Sequence, residues 1–210
     1  MTMSAGLRKL SLTAHVTSSV GWLGSVAGFL ALAIAGLTSP NEQIVRASYV
    51  AMELVGWCVI VPLSVASLIT GLVQSLGTTW GVFRHYWVVA KLAITVAASI
   101  LLLVHMQIAD RMASAAADMT LAAGDFRGLR IQLVADAGAA VLVLLVATAL
   151  SVFKPQGLTP FGRKQLGEPG TGSSNGTPRW ARLVGIIVIA VVVLFLIVKH
   201  LTGGGLGHHH

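Results

Sequence analysis

The stretch Leu12–Leu37, LTAHVTSSVGWLGSVAGFLALAIAGL, decides the architecture. It lies in a run that holds no Asp, Glu, Lys or Arg between Lys9 and Glu42. A helix rises about 1.5 Å per residue, so a hydrocarbon core of about 30 Å takes about 20 residues. The run is long enough for one crossing, and the loop Thr38-Ser39-Pro40-Asn41 closes it. Arg8 and Lys9 precede it as they would in a secretory leader. The apolar core of a leader is only about 7–15 residues long, so the helix is expected to be retained.

The same pattern recurs down the chain. A second span is expected over Ala47–Leu76, interrupted by Glu53 and Pro62, and a third over Tyr86–Ile108, with Lys91 near its start. A fourth is expected over Ile131–Val152, carrying Asp136, and a fifth over Leu183–Leu201, flanked by Arg182 and Lys199. The expected fold is all-α: a polytopic membrane four-helix bundle, residues 1–153, with a fifth transmembrane helix, residues 181–202, appended. Between them, residues 154–180 read as a cytoplasmic Gly/Pro/Ser-rich linker that cannot bury enough apolar area to offset its chain entropy. Residues 203–210 form a tail ending in three histidines, which is set aside from site reasoning.

Composition agrees with this. Of the 210 residues 55% are hydrophobic and 10% charged, and the mean hydropathy is +0.84. A soluble domain carries about 25% charged residues, so a water-soluble enzyme and a disordered chain are both excluded. The net charge of +7 then reads as a membrane-orientation signal, not a nucleic-acid footprint. With the N-terminus inside, eight Lys or Arg fall in cytoplasmic segments (Arg8, Lys9, Arg84, Lys154, Arg163, Lys164, Arg179, Arg182). Five fall outside (Arg46, Arg111, Arg127, Arg130, Lys199). The expected location is the bacterial plasma membrane, N-terminus cytoplasmic and C-terminus outside, with the lipid bilayer as the first partner. Cys58 is the one cysteine, so no intrachain disulfide can form.

Ionisable groups inside spans cost about 2.5–3.5 kcal/mol each at mid-helix on insertion scales, so they mark partners or water. They are His15, Glu53, Lys91, His105 and Asp136. Depth sorts them into two layers. His15 and Lys91 lie toward the cytoplasmic ends of the first and third spans. Glu53, His105 and Asp136 lie toward the outer ends of the second, third and fourth. Lys91 and His105 are fourteen residues apart, about 21 Å along a helix and on one side of it.

The inner layer has aromatic company. Trp22 follows His15 by seven residues and Trp87 precedes Lys91 by four, so each shares a face with its partner. One reading is a cofactor pocket between the first and third spans, with imidazole as a metal or haem-iron ligand and Lys91 as second ligand or anion anchor. The other has His15 hydrogen-bonded to a carbonyl and Lys91 snorkelling to the interface. The outer layer is either a polar network that fixes helix packing or a proton relay. Arg130 is a further candidate partner for Asp136, at an awkward spacing of six. Met52, Met106, Met112 and Met119 cluster near the outer face beside His105. Thioether and imidazole donors suit Cu(I), so His105, Met52 and Met106 form an alternative copper site. Gly24-x-x-x-Gly28 has the small-residue spacing of a close helix contact. Trp80, Tyr86, Trp87 and Trp180 fit an interfacial aromatic belt.

Two segments carry a resemblance: His15-Val16-Thr17-Ser18-Ser19-Val20-Gly21-Trp22-Leu23-Gly24 and Trp80-Gly81-Val82-Phe83-Arg84-His85-Tyr86-Trp87-Val88-Val89-Ala90-Lys91-Leu92. Over roughly residues 10–153 the chain resembles a family of bacterial integral-membrane proteins built on a domain of unknown function common in actinobacteria. It is distantly similar to the J-type protoporphyrinogen oxidase and to the copper-resistance D membrane domain. The J-type resemblance matches His15 with Trp22 and Trp87 with Lys91, and implies b-type haem held at His15 and Lys91. The copper-resistance resemblance matches Gly81 and Lys91. The linker and fifth helix depart from the compact J-type pattern. Three functions follow as expectations. The first is a haem-binding or redox-active bundle that passes electrons to a partner. The second is a copper-handling membrane protein, and the third a membrane assembly partner with no cofactor.

Overall fold

The computed structural model describes residues 3–77, 85–118 and 126–153. The expected linker, the fifth span, Trp80, Met119 and the tail lie outside the described residues. Within them the chain is helical: α1 Ala5–Thr38, α2 Glu42–Val55, a π-helical turn Gly56–Ile60, α3 Val61–Gly77, α4 Tyr86–Ala117 and α5 Arg127–Phe153. Four candidate spans result, because α2, the π turn and α3 run on as one helix of 36 residues. Each span is long and apolar enough to cross a membrane.

The helices extend past the apolar runs read from sequence because their ends are capped, and capping uses polar residues. Ser4 Oγ accepts from the Leu7 amide at 3.4 Å, and Asn41 Oδ1 accepts from the Gln43 and Ile44 amides. These side chains answer amide donors that have no partner inside the helix.

The second span is not a plain helix. Pro62 has no amide hydrogen, and its ring clashes with the carbonyl four residues back, at Cys58, in regular α geometry. The helix widens just before it, and the Val61 amide bonds the Gly56 carbonyl, five residues back. Such a π turn is the usual way a helix absorbs a local misfit.

Consecutive spans pack side by side, and the last closes on the first. α1 lies against α2, α3 and α5, while α4 lies against α2, α3 and α5. This is the up-and-down square of a four-helix bundle. Tyr49, Met52, Ile60, Met106, Met112 and Leu133 are fully buried at its centre. Outward faces carry Val16, Ile69, Ile100, Leu103, Leu142 and Leu145, the apolar surface a bilayer requires. Hydroxyls inside the spans bond back to their own helices, as Ser18 does to the His15 carbonyl and Thr95 to the Lys91 carbonyl. In hydrocarbon no water would answer them.

Close approaches fall at other glycines than the spacing of Gly24 and Gly28 suggests. A Cβ on either of those two would meet nothing within 4 Å, so they are not packed against another helix among the described residues. At Gly36 it would meet the Tyr49 ring, at Gly56 the Met106 thioether, and at Gly71 the His15 ring. Spacing of small residues marks a helix face that can be approached; only the partner helix decides which face is used.

Candidate functional site

The two polar layers form two separate structures. In the inner one, α1, α3 and α4 converge on His15. Its Nδ1 lies 3.1 Å from the Ser67 carbonyl and 3.1 Å from Thr70 Oγ1. A carbonyl only accepts, so Nδ1 carries the hydrogen. Thr70 Oγ1 itself donates to the Ala66 carbonyl at 2.6 Å, leaving a lone pair for the imidazole. Nε2 is then the acceptor, and Lys91 Nζ donates to it at 3.1 Å. Ser19 and Ser67 hydroxyls add a 2.8 Å bond between α1 and α3. Gly71 lets α3 come this near, since a Cβ there would stand 3.0 Å from His15 Cε1.

This arrangement can be tested against a haem. Axial nitrogens on one iron stand about 4 Å apart, twice a metal–imidazole bond of about 2 Å, with a flat macrocycle between them. His15 Nε2 and Lys91 Nζ are in direct hydrogen bond at 3.1 Å. They bond each other more closely than a shared iron would allow, so one side chain would have to move to admit a haem; as they stand they tie three helices together.

The outer layer is built on α4 and α5. His105 Nδ1 lies 3.0 Å from Asp136 Oδ2, and both residues are buried. The carboxylate accepts from Nδ1 and thereby sets the tautomer, leaving Nε2 with its lone pair. That Nε2 is buried and has no hydrogen-bond partner among the described residues. Phe29 stands beside the imidazole, ring centroids 5.9 Å apart and tilted by 59°.

His105 and Asp136 form the polar part of the wall of a cleft between α1, α4 and α5, with a cavity volume of about 90 Å³, partly open to the outside. The remaining wall is hydrocarbon and aromatic, including Trp22, Phe29, Ala97, Ala98, Leu101 and Ala140. Alanine makes the space. Where two helices face each other with Ala97 and Ala98 on one and Ala139 and Ala140 on the other, no long side chain fills the gap.

Other expected members stand elsewhere. Trp22 lines this cleft, whereas neither His15 nor Lys91 does. Trp87 is half-buried in the first turn of α4, one turn before Lys91. Glu53 is half-buried on α2 and takes no part in the pair of His105 and Asp136. Of the three residues expected in the outer network or relay, His105 and Asp136 are hydrogen-bonded to each other. Arg130 does not pair with Asp136; its guanidinium lies over the Tyr49 ring, 5.7 Å from the centroid. Met52 and Met106 are fully buried in the core. His105 and Met106 are consecutive, so their side chains leave α4 about 100° apart, and Met106 packs on Gly56. Among the described residues no three His, Cys, Asp or Glu side chains come together as a metal cage.

Sequence reading missed the alanines of the cleft and the partners of His15, Ser67 and Thr70. The run Ala135-Asp136-Ala137-Gly138-Ala139-Ala140 was the available sign: small residues beside a buried carboxylate. No family model, no curated protein and no solved structure matches the chain.

Proposed function

We propose that this protein binds a lipophilic small molecule in the α1/α4/α5 cleft and that the dyad of His105 and Asp136 exchanges a proton with it. One observation carries the reading: a buried imidazole nitrogen with no partner among the described residues, on a ring oriented by a carboxylate, in the wall of an otherwise apolar cleft. An unmet buried acceptor costs about 1–3 kcal/mol, and a bound donor would recover it. Water is a poor occupant, since an ordered water needs about 2–4 polar partners and most of this wall offers none. A carboxylate behind an imidazole is the arrangement that general base catalysis uses.

The setting is the bacterial plasma membrane with the N-terminus cytoplasmic, as the Lys and Arg distribution supports. A redox ligand would need an electron-transfer partner in the same membrane. Haem suits the seat less well than a neutral molecule. Among the described residues His105 would be its single nitrogen ligand there, and none of them places a cation in the cleft wall to meet the propionates.

The test is an absorbance spectrum and a solvent extract of detergent-purified protein, with and without added haem. An apolar compound extracted from wild type but not from Ala140→Phe is the expected result. A Soret band lost in His105→Ala would make haem the ligand at this seat. A Soret band lost in His15→Ala but kept in His105→Ala would move the function to the inner layer and overturn the proposal.

A second reading concerns that inner layer alone. The bonds from His15 to Ser67, Thr70 and Lys91 support a role in fixing the register of three helices, as in an assembly partner without a cofactor.

A further inference from the structure

We infer that the ligand class of the cleft is a quinol: a flat aromatic ring with hydroxyl groups and an apolar tail, one hydroxyl donating to His105 Nε2. The inference rests on the proposal that the cleft is a ligand seat. Four features select the class.

The first is the direction of the hydrogen bond. Asp136 takes the Nδ1 hydrogen, so Nε2 of the neutral ring is an acceptor. Its complement is a donor, and a hydroxyl is the donor compatible with a molecule that dissolves in hydrocarbon. Acyl chains and esters of ordinary lipids offer none.

The second is charge. The Asp136 carboxylate lies 3.0 Å from the imidazole, and among the described residues no cation lines the cleft. An anionic head, such as that of a fatty acid, would meet a like charge in a medium that screens it poorly. A phenolic hydroxyl is neutral and escapes that penalty.

The third is shape. Trp22 and Phe29 supply aromatic faces, and Ala97, Ala98 and Ala140 leave a shallow wall. A flat ring can stack there, and aromatic pairs contribute beyond their buried area.

The fourth is length. The cleft follows α4 from Ile94 to His105, roughly 16 Å at about 1.5 Å per residue, longer than one ring. Both polar residues of its wall are at one end of this run along α4 and α5. A molecule with one polar head and an apolar tail matches that distribution. The inference is one of binding and hydrogen bonding; it assigns no electron transfer.

The experiment measures binding to the full chain in detergent by quenching of tryptophan fluorescence, Trp22 being in the wall. Four probes carry tails of nine or ten carbons: decyl-benzoquinol, decyl-benzoquinone, decylbenzene and decanoate. The quinol is expected to bind about tenfold tighter than decylbenzene or decanoate, the worth of one buried hydrogen bond. His105→Ala should abolish that preference and leave decylbenzene binding unchanged. Ala98→Leu and Ala140→Leu, which fill the cleft, should weaken every probe. Circular dichroism and gel filtration check each variant, and His105→Gln repeats the test if the alanine variant does not fold. Binding that is sensitive to the cleft-filling variants, but with no quinol preference, would overturn the quinol class and keep the seat. The same holds for a preference that survives the loss of the imidazole. A preference for the quinone over the quinol would show that Nε2 donates, and would overturn the hydrogen bond inferred here. Binding insensitive to both Ala98→Leu and Ala140→Leu would remove the seat itself.

Discussion

His105 Nδ1 and Asp136 Oδ2 meet at 3.0 Å between two helices of the bundle, 31 residues apart in the chain. The pair is buried, and the dielectric around it is low. Removing either member should therefore be costly, and removing both should cost less than the sum of the two losses. Asp136→Leu leaves the imidazole without its partner, and His105→Leu leaves a bare carboxylate. Either single change is expected to cost about 3–5 kcal/mol, the range for breaking a buried pair. The double variant should recover part of this, with a coupling of about 0.5–3 kcal/mol. Denaturation of the four proteins in mixed micelles measures the cycle. Strictly additive effects would show that the pair does not interact.

His15 and Lys91 invite the same comparison with a different weighting. His15→Ala removes the bond to the Ser67 carbonyl and strands the Lys91 amine. Lys91→Met removes a donor but keeps an apolar stem of similar length. The first should therefore cost more than the second, which strands one imidazole acceptor at about 1–3 kcal/mol. Melting temperatures in detergent decide the order, and the reverse order would count against a structural knot at this layer.

Glycine substitutions separate packed from open faces of α1. A Cβ at Gly36 would stand 2.7 Å from the Tyr49 ring, so Gly36→Ala must displace the ring or the helix. The expected cost is about 1–3 kcal/mol, typical of overpacking. Gly24→Ala meets nothing, and alanine is favoured over glycine in a helix by about 0.5–1 kcal/mol. It should be neutral or stabilising. Destabilisation by Gly24→Ala of the isolated protomer would mean that α1 is packed otherwise than described.

Filling the cleft should trade function for stability. Ala98→Leu adds three carbons to a wall that lacks them, each worth about 0.8 kcal/mol if fully buried. The cleft is partly open, so a gain of about 1–2 kcal/mol is expected in ligand-free protein. The melting temperature should rise, and its further rise on adding an apolar ligand should vanish. A variant that keeps the ligand-dependent rise would show that the ligand sits elsewhere.

Much of the fold was legible in the chain because a bilayer imposes one-dimensional rules. A long apolar run with few or no charges marks a candidate span, and a span must be helical or part of a closed barrel, since hydrocarbon leaves no other way to satisfy the backbone. The four described spans follow those rules. The π turn was half legible: Pro62 announced a disturbance, but not that the helix would absorb it by widening. Alternatives such as a kink satisfy the same missing amide, and the neighbours around Gly56 and Met106 decide between them.

The site was legible only as a set of candidates. Sequence alone determined which groups are out of place in lipid, because the cost of burying an ionisable group belongs to the residue and not to its neighbours. It also placed them in two layers, since depth follows from position along a helix. Which of them meet was decided by the tertiary structure. His105 takes Asp136 and leaves Glu53 aside, Arg130 turns to Tyr49, and His15 closes on Lys91. A hydrogen bond requires about 3 Å and an orientation, and both depend on how helices distant in the chain are rotated against one another. The cleft is decided the same way. Alanine is an ordinary helix residue, and it becomes a ligand wall only where two helices set their alanines face to face.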